Sequence, residues 1–157
     1  MAQPDGSSRV DRHIRAPRAI IYRALLDPTA IATWRVPDGM TAHVHELDAR
    51  EGGCFRVSLT YNASDSTGKT SAHTDTYHGR FARLVPEEQV VEMLEFETAD
   101  PELVGEMTIT TSLADADWGT DVSIVYEGLP RGVSTADNET GTRMALAKLA
   151  ALLETPA

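Results

Sequence analysis

With Cys54 as its one cysteine, the 157-residue chain can form no internal disulfide and has no second thiol to hold a structural zinc. Cys54 itself reads as a small residue at the start of a strand. Long apolar runs are also missing: 41% of the residues are hydrophobic, but charged residues, 24% of the chain, interrupt them throughout, so no bilayer-spanning segment is expected. The opening MAQPDGSSR is short and polar and lacks the apolar core of a secretory signal. It predicts a cytoplasmic protein without membrane association, whose residues 1–8 are flexible. Positive charge is scarce as well. The 14 Lys and Arg against 24 Asp and Glu leave a net charge of −10, which repels nucleic acid phosphates. The basic residues from Arg9 to Arg23 do not offset this, being strung along a strand and a helix rather than gathered in a patch. No nucleophile motif, phosphate-binding glycine loop or dinucleotide fingerprint occurs, and no cofactor is expected.

What is present fits one globular domain over residues 9–155, because two halves of such a chain would each be marginal in stability. Pro17 suits a first helical turn, and the pairs Ile21/Leu25 and Tyr22/Leu26, four apart, predict a helix over 17–26. Asp27 and Pro28 then cap and open a second short helix carrying Ile31 and Trp34, which stops before Pro37. From Thr41 the period changes to two. Residues 41–48, a Gly52-Gly53 turn, and Phe55, Val57, Leu59 and Tyr61 on one face predict a hairpin. Asn62 to Ser71 is rich in turn formers and is expected to be a mobile loop. Strands follow over 73–85 and 89–97, then through Met107, Ile109, Thr111 and Leu113, and through Val122, Ile124 and Tyr126. Ala136 to Glu154, with Ala145, Leu149, Leu152 and Leu153 at helical spacing, predicts one long terminal helix. An antiparallel sheet with one apolar face must bury it, and that helix is the element long enough to cover it, so the sheet is expected to curl around it. Alanines on the helix favour either close approach or a hollow, and both readings stay open.

The segments IRAPRAIIYRALLDPTAIATWRVPDGM, ELDAREGGCFRVSL, YHGRFARLVPEEQVV and ETGTRMALAKLAALLE follow one another in the order and spacing of a known family. From about Arg9 to Glu154 the chain resembles the START-like helix-grip domains related to the activator of the Hsp90 ATPase. The resemblance implies an α+β helix-grip fold, with about seven antiparallel strands curved around a long C-terminal helix and two short helices after the first strand. It also implies a hydrophobic cavity that takes small apolar or aromatic ligands. One position departs from the pattern: where many relatives carry Gly-Trp at the start of the last helix, this chain has Gly141 followed by Thr142, so a large filler is missing.

Candidate site residues fall into three groups. His43, His45, Glu46, His73, Asp75, Tyr77 and His78 are ligand-type side chains on two predicted strands, yet no reinforcing His or Cys pair is present, and no metal is assigned. His73, Asp75 and Glu95 are the candidates for acid–base work, since a carboxylate facing an apolar cavity would be held protonated by desolvation. Trp34, Met40, Phe55, Leu59, Tyr77, Met107, Ile109, Met144 and Leu152 are the expected ligand-binding lining. Three functions compete: a binding protein for a small hydrophobic molecule, a cyclase or hydrolase acting on a small aromatic or polyketide-like substrate, and an Hsp90-type co-chaperone. The partner expected is the small molecule, and a homodimer is compatible with the sequence.

Overall fold

A computed structural model describes residues 6–62 and 74–154. The order is β1 (Ser8–Ile14), α1 (Arg18–Leu26), α2 (Pro28–Trp34), β2 (Met40–Leu47), β3 (Cys54–Tyr61), β4 (Thr74–Val85), β5 (Gln89–Phe96), β6 (Met107–Ala116), β7 (Gly119–Glu127) and α3 (Thr135–Leu153). The strands form one antiparallel sheet in the order β1-β7-β6-β5-β4-β3-β2, a curved sheet around the terminal helix, which is the helix-grip arrangement. The loop expected over Asn62–Ser71 lies, from residue 63 on, outside the described residues, as do residues 1–5. Residues 6–8, expected to be flexible, are instead held by the fold. The Gly6 carbonyl accepts from the Leu129 amide, and the Ser8 hydroxyl, fully buried, donates to Asn138 on α3.

Local chemistry explains the elements. The Asp27 carboxylate accepts from the Thr29 amide at 2.9 Å and caps α2, with Pro28 in its first turn, while the Ser134 hydroxyl accepts from the Asp137 amide and caps α3. Along the strands the parity of two sends Phe55 and Val57, Val90 and Leu94, Met107, Ile109 and Leu113, and Val122 and Ile124 into the core. There they meet Leu146, Leu149 and Ala150 of α3 and Ile21 and Leu25 of α1. Gly79 is required by this pairing: a Cβ there would lie 2.2 Å from the Met93 carbonyl oxygen of β5. At one end of the sheet β2 pairs, among the described residues, only with β3, and its ladder is bulged between Val44 and Glu46.

The convex face is a polar network. Arg56 on β3 donates to both Glu97 oxygens at 2.7 and 2.9 Å, and His78 on β4 lies 3.1 Å from Glu97 and 3.2 Å from Glu95. Hydrogen bonding from Arg56, opposed by partial burial and aided by His78, holds the Glu97 carboxyl down to about 2. A depressed carboxyl stabilises the fold fully above its unfolded value of 4.5, and that stabilisation disappears as the pH falls from there toward about 2. Solvent screening at this surface limits the effect to about 1 kcal/mol. Urea unfolding at about pH 6 and about pH 3 should therefore show a smaller acid loss for Glu97→Gln than for the native chain.

Candidate functional site

The concave face does not close on α3 along its whole length. A cavity of about 250 Å³ remains between the sheet, the segment from Trp34 to Met40 and the N-terminal half of α3. The sheet contributes Leu59 from β3, Asp75 and Tyr77 from β4, the row Val90, Glu92, Leu94 and Phe96 from β5, Met107, Ile109 and Thr111 from β6, and Ile124 and Tyr126 from β7. The helix contributes Asn138, Gly141, Thr142 and Ala145. Apolar side chains dominate this wall, and its polar groups are few and concentrated.

The central polar feature is a buried ion pair. Arg35, at the C-terminal cap of α2, sends Nη1 to both oxygens of Glu92 at 3.0 and 2.7 Å, with side-chain exposures of 17% and 7%. Burial works against the Arg35 charge, but the Glu92 carboxylate outweighs it and raises the guanidinium pKa, so Arg35 stays cationic. Its Cζ also sits 5.8 Å from the centre of the Tyr77 ring. Burial, eased by the Arg35 cation, pushes the Tyr77 phenol up to about 12, so it remains a hydrogen-bond donor at neutral pH. At the cavity's edge Lys148 of α3 donates to the Val36 carbonyl and lies 3.1 Å from the Asp38 carboxylate, tying the helix to the segment between α2 and β2.

Six of the residues expected to line a cavity do so: Trp34, Met40, Leu59, Tyr77, Met107 and Ile109. Three stand elsewhere. Phe55 is buried in an aromatic cluster with Phe81, centroids 5.1 Å apart, and does not line the cavity. Leu152 is 44% exposed, because the buried stripe of α3 runs through Thr142, Leu146, Leu149 and Ala150 and passes it by. Met144 is half-buried beside that stripe and outside the cavity. Among the acid–base candidates, Asp75 is buried in the cavity wall, whereas Glu95 pairs with His78 on the convex face and His73 lies outside the described residues. His43 and His45 are exposed on β2, their rings 4.4 Å apart, on the face opposite Asp75 and Tyr77, so the histidine strand and the carboxylate strand do not converge. Among the described residues no group of three His, Cys, Asp or Glu could hold a metal ion.

Arg35 and Glu92 were missed from sequence. Glu92 carried a signal, since it shares the parity of Val90, Leu94 and Phe96, and a carboxylate in an apolar row needs a partner. Arg35 carried none: it follows a helix end, and its partner is 57 residues away.

With this geometry in view, the comparisons with known proteins agree. Residues 15–154 match the family described as Activator of Hsp90 ATPase homolog 1-like protein, and the chain belongs to that family. A crystal structure of a protein from Chromobacterium violaceum is 35% identical, with a TM-score of 0.88 over 98% of this chain and 100% of that one. A protein from Rhodobacter sphaeroides, 17% identical over 97% of this chain and 95% of that one, has a TM-score of 0.77 and so shares the fold. A putative protein of the dynemicin biosynthetic locus is 19% identical with a TM-score of 0.66, over 94% of this chain and 47% of that one. No curated protein matches the chain. Among the described residues no helix is long and apolar enough to cross a membrane.

Proposed function

We propose that the protein binds a small hydrophobic molecule in the cavity between sheet and α3. The observation that carries this reading is a predominantly apolar hollow of about 250 Å³ between the sheet and α3. Native cores leave few voids larger than a water molecule, so a hollow of this size is a feature retained for something that fills it. Gly141 supports the same reading. It lies inside α3, lines the cavity, and a Cβ there would meet nothing within 4 Å, yet glycine in a helix interior costs about 1 kcal/mol relative to alanine. Its neighbour Thr142 is small and also lines the cavity.

Two variants test the reading. Gly141→Ala should raise unfolding stability by about 0.5–1 kcal/mol through helix propensity. Gly141→Leu should fill the hollow and eliminate the extra mass that native mass spectrometry is expected to find on the purified protein and to lose on denaturation. Retention of that mass by Gly141→Leu would place the ligand outside the cavity. The enzyme reading draws on Asp75 and Tyr77 sharing the cavity wall, which gives a carboxyl and a phenol that a bound molecule would contact. The co-chaperone reading draws on the family description alone, and an unchanged Hsp90 ATPase rate on adding the protein would dispose of it.

A further inference from the structure

The free hydrogen-bonding groups of the cavity define the chemistry of what it takes. Arg35 has five N–H donors, and its bonds to Glu92 all run from Nη1, so those on Nε and Nη2 have no partner among the described residues. Tyr77, 7% exposed, and Tyr126 both line the cavity with hydroxyls that likewise have no partner among the described residues. Every fully enclosed side-chain N or O among those residues is hydrogen-bonded, so these unpartnered donors keep accessible surface, on residues that form the cavity wall. The acceptors are in the opposite state. Both Glu92 oxygens already accept from Arg35, and Asp75 is engaged within the protein.

Resting on the binding reading above, we propose that the ligand is a neutral molecule of one or two rings whose carbonyl oxygen accepts hydrogen bonds from Arg35 and Tyr77. Charge excludes the anionic counterpart. Arg35 is already neutralised by Glu92, and Asp75 and Asp137 add carboxylates to the wall, so a ligand carboxylate would bring surplus negative charge into an apolar enclosure. An ammonium would meet the Arg35 cation, which already neutralises Glu92. A neutral carbonyl satisfies the unused donors without adding charge, and its hydrocarbon rings fill the apolar remainder. The same logic gives selectivity: a site built to donate rejects the analogue that cannot accept, because its donors are then desolvated and left unmade.

Four molecules of one skeleton test this by calorimetric titration: tetralin, α-tetralone, aminotetralin and tetralin carboxylate. The ketone is expected to bind roughly tenfold more tightly than tetralin, with the amine and the carboxylate both weaker than the ketone. Tyr77→Phe keeps the ring and removes only an unpartnered hydroxyl, so it should fold normally and lower the ketone's advantage over tetralin severalfold, partly by relieving the penalty tetralin meets. The double variant Arg35→Met with Glu92→Leu, which leaves no unpaired charge, should remove the rest. Tetralin binding as tightly as the ketone, the amine or carboxylate binding tightest, or a ketone advantage unmoved in both variants would each overturn the carbonyl proposal while leaving cavity binding intact. Binding of none of the four to protein shown to be folded would overturn the binding reading with it.

Discussion

Replacing Arg35 with methionine is expected to destabilise the protein by about 3–5 kcal/mol, because it strands the Glu92 carboxylate in an apolar wall. The pair is largely buried on both sides, and no second cation is paired with Glu92 among the described residues. Urea unfolding at neutral pH measures the loss. The pH dependence identifies its cause: an unpaired buried carboxyl has its folded pKa raised above the unfolded value, so the deficit of Arg35→Met should shrink as the pH falls and Glu92 takes up a proton. A deficit that stays constant with pH would instead indicate lost packing of the arginine stem. The double variant with Glu92→Leu should recover most of the stability, since apolar replacement of both partners removes the desolvation penalty together with the attraction.

Trp34→Ala should cost a comparable amount, about 3–5 kcal/mol, by deleting a buried indole whose Nε1 donates to the Ala24 carbonyl at 3.2 Å. Trp34 is also part of the cavity wall, so its removal enlarges the hollow and should weaken or broaden ligand selection. Fluorescence offers a clean readout. The chain has two tryptophans, and the other, Trp118, is 95% exposed on the turn between β6 and β7. The blue-shifted part of the emission should therefore vanish in Trp34→Ala and survive in Trp118→Ala, while ligand titration should perturb only the former signal. Emission that is unchanged in Trp34→Ala would contradict the burial of this side chain.

The architecture was largely legible in the sequence because each element announces itself locally. Asp27-Pro28 and the change from a period of four to a period of two set element boundaries to within about two residues. The weakest local signal is in β1, where Val10 and Ile14 are the only apolar residues, and its place in the sheet depends on pairing with β7 more than a hundred residues away. The cavity was less legible, since lining and solid core share the same apolar composition. Strand parity located Leu59, Asp75, Tyr77, Met107 and Ile109. It could not distinguish Phe55, which the Phe81 ring encloses, from residues facing a void. On α3 the choice between Leu149 and Leu152 depends on the helix's rotation against the sheet, which several leucines at helical spacing leave undetermined. The ion pair was the least legible part, because it joins a helix end to a strand through the fold alone.

The bulge in β2 has a consequence for how copies of the chain meet. An end strand offers unpaired amides and carbonyls to any passing strand, and regular ladders there template aggregation. Here the hydrogen-bonding pattern shifts between Val44 and Glu46, and exposed His43, His45 and Glu46 crowd the same stretch, so a second chain cannot continue the ladder in register.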